Sequence, residues 1–216
     1  MKKAHIFSED DLRRIEEAVK KSETHTSGEI VPVFVNQCGD YSESFYKGVL
    51  ALSLLAFFSL IVLDRISHGV MFYDPFWYLV VVCGAGLAGG LLVRFVPGLH
   101  RWLAGRDRLR EMAYYKAGQF FLKEEVFQTV DRTGIMIFVA WFEHQVIVMA
   151  DKGISKVVAQ SAWDQIVDEL VTSIKSGKIA DGMTKAIEAC ALLLKEKGVQ
   201  IQPDDTDELP NQLRME

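Results

Sequence analysis

The chain has 216 residues, with 24 Lys and Arg against 29 Asp and Glu and a formal net charge of −5. This length allows one ordinary domain and a short additional element, but not two sizeable cores. The acidic balance, without a basic stripe interleaved with aromatics, argues against nucleic-acid binding. Cys38, Cys83 and Cys190 lie far apart and in no metal-ligand spacing, which is typical of a reducing compartment without a disulfide framework.

The first 36 residues predict a helix followed by a strand. Ser8 precedes three acidic residues, the pattern of a helix N-cap with a favourable first turn, and the helix is expected to end near Ser22. Residues 29–35 are typical of a β-strand. Pro32 lies inside this strand and cannot donate to a sheet ladder, which favours an edge position.

Two apolar segments without charges, residues 48–63 and 76–93, dominate the next part of the chain. As helices they would span about 24–27 Å each, close to the ~30 Å hydrocarbon core of a bilayer. Aromatic residues flank them, as at membrane interfaces. We therefore expect a transmembrane helical hairpin over residues 45–96, with residues 64–75 as its loop. The alternative is a buried helical hairpin in a soluble protein.

The charges around the two segments predict their orientation. Basic residues cluster at 101–116, after the second segment, and Lys47 precedes the first. Arg65 is the single Lys or Arg residue of the predicted loop, and its charge is offset by Asp64 and Asp74. By the positive-inside rule both termini face the cytoplasm, which predicts a two-span protein of the cell inner membrane.

The rest of the chain predicts further elements of an α/β domain. A helix is expected over residues 102–128, then an antiparallel strand pair over 135–150, and then helices over 154–176 and 180–197. The first two strands would be parallel, with the membrane hairpin inserted in their crossover. The predicted fold is therefore α/β, a small mixed sheet sandwiched by helices, with an inserted two-helix transmembrane hairpin. The two predicted parts of the α/β domain are residues 1–44 and 97–200. The hairpin between them takes residues 45–96, and a disordered acidic tail takes residues 201–216.

Glycines in the second apolar segment allow two interpretations. Residues 84–89 match the dinucleotide pattern GxGxxG, but the second strand and acidic residue of that fold do not follow, so no nucleotide cofactor is expected. Gly86 and Gly90 also form a GxxxG spacing, which permits close approach of membrane helices. Packing against the first span is the favoured use, and a homo-oligomer through Gly86 and Gly90 is the alternative.

Three acidic residues are the candidate ligands of a metal ion. Glu29 starts the first strand, Asp131 precedes the second and Asp151 ends the third, so all three are expected at one end of the sheet with Thr133 nearby. Carboxylate and hydroxyl oxygens suit Ca²⁺ or Mg²⁺, and such an ion can polarise a phosphate ester. The alternative is that these are solvated turn residues.

Three stretches, residues 26–31, 134–154 and 163–167, resemble the TPM domain family. The resemblance covers roughly residues 5–36 and 103–200 and implies an α/β/α sandwich. The family includes bacterial membrane-associated members of unknown function, a thylakoid acid phosphatase, a photosystem-repair factor and a receptor-accessory protein. Some members bind divalent cations through acids at one end of the sheet, and the resemblance carries this over to Glu29 and Asp151. Many relatives have a Gly-Tyr-Gly-type turn where this chain has residues 151–153.

Two functions from different classes follow from these observations. The leading hypothesis is a membrane-tethered, cytoplasm-facing TPM-like domain that binds another membrane protein and assists the assembly or turnover of membrane proteins. The rival is a phosphatase that depends on Ca²⁺ or Mg²⁺ held by Glu29, Asp131 and Asp151. If these carboxylates lie more than about 10 Å apart, or if each of them is engaged by Arg or Lys, the enzyme hypothesis fails.

Overall fold

The computed structural model describes residues 6–66, 75–199 and 208–216. In chain order its elements are α1 Glu9–Glu23, β1 Ile30–Val35, α2 Ser42–Ile66, α3 Pro75–Phe95, α4 Pro97–Ala104, α5 Arg106–Lys123, β2 Ile135–Ala140, β3 Gln145–Ala150, α6 Lys152–Ser155, α7 Gln160–Lys175, α8 Ile179–Glu196 and β4 Arg214–Met215. They form two compact units. The sheet unit takes the chain up to residue 38 and from residue 113 onward, and the hairpin unit takes residues 39–112.

The sheet unit is built on four strands in the order β3-β2-β1-β4. β1 and β2 are parallel, in a register from Ile30 opposite Ile135 to Val35 opposite Ala140, and β3 is antiparallel to β2. The chain between β1 and β2 includes the hairpin unit. The predicted mixed sheet, with two apolar helices inserted in its crossover, is therefore confirmed.

Helices cover both faces of this sheet. On one face Ile30 and Phe34 join a core with side chains of α1, α7 and α8, such as Val19 and Leu194. On the other face the ring of Phe138 lies 5.9 Å from that of Phe120 on α5. Burial of these apolar side chains on both faces is the main force that holds the three layers together.

The prediction that β1 lies at an edge is wrong, because β4 pairs along its other side at Val33 and Phe34. The carbonyl of Phe34 accepts from the amide of Glu216, so the backbone N–H and C=O groups of the even-numbered residues of β1 face β4. Pro32 faces the same side but lies before the point where β4 begins. Its missing N–H therefore leaves no hydrogen bond unmade in this ladder.

The prediction of a disordered tail over residues 201–216 is wrong for its last part, while residues 201–207 lie outside the described ranges. Residues 214 and 215 form β4, and the amide of Asn36 donates to the carbonyl of Glu216 at 2.9 Å. Arg214 Nε also donates to Glu124 Oε2 at 3.1 Å. The acidic composition of residues 201–216 indicated a solvated tail. The edge of β1, however, needs backbone hydrogen-bond partners because it is buried, and the last residues of the chain supply them.

The hairpin unit contains α2 and α3, which include both predicted apolar segments, and α4 after them. In their most apolar stretches only 6% of α2 and 22% of α3 is buried. The single helix predicted over residues 102–128 is instead broken at Gly105, where φ is +88°. α4 therefore belongs with the hairpin. Most of the predicted loop, residues 67–74, lies outside the described part of the chain.

The glycines of α3 let the two long helices pack closely. A Cβ added to Gly89 would lie only 2.3 Å from the carbonyl oxygen of Gly48 on α2, and one on Gly86 would lie 2.4 Å from Ser53 Oγ. A Cβ on Gly90 would meet the ring of Phe45 at 2.5 Å. The GxxxG pair is thus used for packing within the hairpin, and no observation favours a homo-oligomer through Gly86 and Gly90.

Candidate functional site

The backbone brings two of the three predicted acids together at one end of the sheet. The carbonyl of Glu29, just before β1, accepts from the amide of Ile135 at 2.7 Å. The amide of Asp151, just after β3, donates to the carbonyl of Gly134 at 2.9 Å. Asp131 lies nearby in the turn that leads into β2. Parallel pairing of β1 with β2 and antiparallel pairing of β2 with β3 account for this placement.

The carboxylate of Asp151 forms a bidentate ion pair with Arg132. Arg132 Nε donates to Oδ2 at 2.5 Å and Nη2 donates to Oδ1 at 2.9 Å. The backbone amide of Lys152 also donates to Oδ1, at 2.7 Å, so that Asp151 caps the short helix α6. The side chain of Asp151 is 5% exposed and that of Arg132 is 47% exposed. The basic partner was not predicted as a site residue, although it lies in the same turn as Asp131.

These contacts determine the charge state of Asp151. Burial by itself would raise the pKa of the carboxyl, but the guanidinium of Arg132 and the amide of Lys152 outweigh burial and hold the pKa below its ordinary value of 3.8. Asp151 is therefore a carboxylate at neutral pH. A general acid needs the opposite shift, a raised pKa, so the site does not prepare Asp151 for that role.

The turn that positions Arg132 is tightly packed. Arg132 adopts a left-handed conformation with φ of 56°, and its carbonyl accepts from the amide of Gly153 at 3.0 Å. A Cβ on Gly153 would lie 2.6 Å from this same carbonyl, so a glycine is needed there. Thr133 Oγ1, a predicted neighbour of the acids, donates to the carbonyl of Ser27 at 2.8 Å. The hydroxyl thus has a structural partner.

Glu29 is 6% exposed and lies beneath the C-terminal segment. The backbone amide of Glu208 donates to Glu29 Oε1 at 3.2 Å. The carboxylate of Glu208 in turn accepts from the amide of Val130, with Oε2 at 3.1 Å. The sequence contains no local signal for this arrangement, because Glu208 and Glu29 are 179 positions apart.

The three predicted acids have different surroundings at this end of the sheet. Within residues 6–66, 75–199 and 208–216, no three His, Cys, Asp or Glu side chains form a group that could hold one. Asp151 already binds Arg132 with both oxygens, while Asp131 is exposed and Glu29 is buried. The metal site at Glu29, Asp131 and Asp151, with Ca²⁺ or Mg²⁺, stays a prediction that the side-chain geometry does not favour.

Two open cavities lie on the helical layer of the sheet unit. One, of about 340 Å³, lies between α1 and α8 and is lined mostly by apolar surface. The other, of about 550 Å³, lies between α7 and α8 and includes Asp168 and Lys185. Glu29, Asp131 and Asp151 line neither cavity. These two cavities therefore offer no substrate pocket to the predicted acidic site.

The fold and the site define a small α/β/α domain that carries an inserted apolar helical hairpin and an Arg-paired aspartate at one end of its sheet. Residues 107–192 match the family model described as the TPM domain. This confirms the resemblance seen in the sequence.

Comparison with curated proteins found no match for this chain. Among solved structures, the chain is similar to the BA42 protein of the psychrophilic bacterium Bizionia argentinensis, determined by NMR. The TM-score is 0.59 and the identity is 18%, over 97% of this chain and 95% of that one. At this identity the similarity establishes the fold alone.

Proposed function

We propose that the protein is anchored in a membrane by α2 and α3, and that its TPM domain acts at the cytoplasmic surface as a non-catalytic binding module. The observation that carries the anchor is the exposure of large apolar side chains along both helices. Leu50, Leu55 and Phe58 on α2 are 60%, 61% and 59% exposed, and Leu79 and Leu87 on α3 are each 61% exposed. In water such a surface is strongly unfavourable, whereas lipid solvates it.

The lengths of the helices support the same assignment. The 20-residue rise from Tyr46 to Ile66 on α2 corresponds to about 30 Å, and that from Trp77 to Phe95 on α3 to about 27 Å. Both lengths are close to the thickness of the hydrocarbon core, and aromatic residues stand at three of these four positions: Tyr46, Trp77 and Phe95. The basic residues after α3 favour the cytoplasm for this end of the hairpin.

The proposal of a binding role is supported by the structural contacts that already engage the polar side chains of the candidate site. Asp151 is held by Arg132 and caps α6, and Thr133 donates to a backbone carbonyl. These residues stabilise the end of the sheet, and none of them lines either of the two cavities described above. A domain tethered to the bilayer meets membrane proteins at high local concentration. We therefore infer a partner that is another membrane protein, with a role in its assembly or turnover.

The rival function is a phosphatase that depends on Ca²⁺ or Mg²⁺. It is favoured only by the position of Glu29 and Asp151 at the same end of the sheet. The two hypotheses are separated by assaying the purified full-length protein on a phosphate ester with each ion and with a chelator. We expect no turnover that depends on the metal. Turnover that the metal restores and that Glu29→Gln abolishes would establish the enzyme instead.

The anchor and the partner are tested separately. Membranes washed with alkaline carbonate should retain the protein, because carbonate strips peripheral proteins but leaves spanning helices in place. A protein released into the supernatant would end the proposal of an anchor. Chemical crosslinking in the membrane, followed by purification in mild detergent, should then recover a second membrane protein together with the full-length chain. Recovery of the chain alone, at crosslinking levels that capture a known membrane complex, would contradict the binding role.

A further inference from the structure

The stretch from residue 94 to residue 110 is the most basic part of the chain. It holds five arginines, at positions 94, 101, 106, 108 and 110, and one acid, Asp107, and thus carries a formal charge of +4 in a chain whose total is −5. Arg94 lies in the last turn of α3, Arg101 lies on α4, and the other three lie in the first turns of α5. The rest of the chain carries a net negative charge, so anions are attracted more strongly to this stretch than to the average of the remaining surface.

Contacts within the hairpin unit place these arginines at one end of the hairpin. Lys47 Nζ on α2 donates to the carbonyl of Leu103 at 2.8 Å. His100 Nε2 lies 3.2 Å from the carbonyl oxygen of Tyr41, just before α2 begins. α4 is therefore folded back against the beginning of α2, which is also the end at which α3 finishes.

Large aromatic side chains are exposed at this same end. Trp102 on α4 is 76% exposed, Phe95 at the end of α3 is 74% exposed and Tyr46 on α2 is 68% exposed. Such amphipathic and apolar rings are typical of the interface between headgroups and acyl chains. A free phosphate or a nucleic acid in water gives these rings no apolar layer to enter. Arginines next to exposed aromatics at the end of two apolar helices are complementary to an anionic lipid surface.

We propose that residues 94–110 form a docking surface for the headgroups of acidic phospholipids. The proposal rests on the membrane anchor proposed above and adds the class of lipid that the protein prefers. Guanidinium groups bind phosphate oxygens with two parallel hydrogen bonds, and each basic residue near an anionic membrane surface strengthens binding. Trp102 lies in the headgroup layer and keeps α4 at the depth where its neighbouring arginines meet the phosphates.

The ion pairs of Arg108 leave its guanidinium accessible to lipid. Arg108 lies 3.8 Å from Glu43 and 3.6 Å from Glu111, and its side chain is 47% exposed. Exposed pairs at such distances are weak and are screened by salt, so a lipid phosphate competes with them. Arg94 and Arg106 are exposed in the structure. These two residues are the best positions at which to remove charge without removing a packing contact.

The test measures the lipids that the full-length protein retains. The protein is purified in neutral detergent, mixed with equal amounts of phosphatidylglycerol and phosphatidylcholine of matched acyl chains, and analysed by native mass spectrometry. We expect more bound phosphatidylglycerol, and a preference that falls as salt increases. The double variant Arg94→Gln, Arg106→Gln should lower this preference roughly tenfold. The matched control, Arg13→Gln with Lys175→Gln, removes two exposed charges from the sheet unit and should keep the preference.

Each other outcome overturns the proposal in a recognisable way. Equal retention of the two lipids by the wild type, or equal preference in both double variants, means that this surface does not select acidic headgroups. Loss of a copurified acidic protein from the arginine variant, with no change in lipid, would assign the surface to a protein partner instead. In these cases retention after the carbonate wash still supports the anchor. Release by carbonate would contradict the anchor itself.

Discussion

Asp151 takes part in two interactions that single substitutions can separate. The change Asp151→Asn removes the charge that pairs with Arg132 but keeps an oxygen that can cap α6, whereas Asp151→Ala removes both. Because the side chain of Arg132 is 47% exposed, we expect the asparagine variant to lose only about 1 kcal/mol in the free energy of unfolding. The alanine variant should lose about 1 kcal/mol more, because the cap is lost too. Denaturant unfolding of the full-length protein in detergent measures both.

The ion pair also predicts how this difference depends on pH. The pKa of Asp151 in the folded protein lies below its ordinary value of 3.8, so the stabilisation is complete above that value and is lost as the pH falls through the folded pKa. The gap between wild type and Asp151→Asn should stay constant from pH 7 to about pH 5 and close below about pH 4. The exposed Asp164, changed to Asn, serves as the control. A gap that persists at low pH would mean that the charge of Asp151 contributes nothing.

Gly134, directly before β2, is required by a close backbone contact. A Cβ at this position would lie 1.9 Å from the carbonyl oxygen of Val126. We expect Gly134→Ala to destabilise the protein by about 2–3 kcal/mol, because backbone must move to remove the clash. Gly118→Ala is the matched control. It lies in α5 with no atom within 4 Å of the added Cβ, and should stabilise the protein by about 0.5–1 kcal/mol. Equal unfolding midpoints of the two variants would contradict the packing at Gly134.

Local patterns were sufficient to predict most individual elements but not their distant partners. Alternating and continuous apolar runs gave β1, β2, β3 and the two apolar helices, and these predictions are confirmed. No local pattern indicates the contacts of Glu143, which lies in the turn between β2 and β3. In the structure Glu143 is 2% exposed and accepts from the amide of Cys38, 105 positions away. β4 was also missed because its partner is distant in the sequence. Residues 214 and 215 form a strand only by pairing with the free edge of β1, about 180 positions earlier in the chain.

At the scale of helices, the glycines of α3 predict which substitutions separate the hairpin. Gly89→Val adds atoms where Gly48 already lies too close for a Cβ, so we expect α3 to move away from α2, with a loss of roughly 2 kcal/mol. Gly84→Val on the same helix has open space around it and should leave stability nearly unchanged. Thermal unfolding of the full-length protein in one detergent compares the two variants. Similar midpoints for both variants would mean that close packing at Gly89 does not stabilise the hairpin.

The same variants test the homo-oligomer interpretation of Gly86 and Gly90. If the glycines serve only the hairpin, the mass of the protein–detergent complex, measured by light scattering after size exclusion, should be the same for wild type, Gly90→Val and Gly84→Val. A wild-type dimer that becomes a monomer only in Gly90→Val would instead support an interface between copies of the chain through this face. The position of Phe45 against Gly90 favours the first outcome.

For the whole molecule, the proposed two-span arrangement predicts both chain ends on one side of the membrane and the connection between α2 and α3 on the other. A single cysteine at residue 68 or residue 17 tests this in a Cys83→Ala background, in which Cys38 and Cys190 are buried. In sealed right-side-out vesicles we expect a membrane-impermeant maleimide to label His68→Cys but not Glu17→Cys. Residue 17 lies on the exposed face of α1, which in the proposed orientation faces the interior of these vesicles. Glu17→Cys should therefore be labelled only after the vesicles are opened. Labelling of both residues from one side would mean that the hairpin does not cross the bilayer, and labelling of Glu17→Cys alone would reverse the proposed orientation.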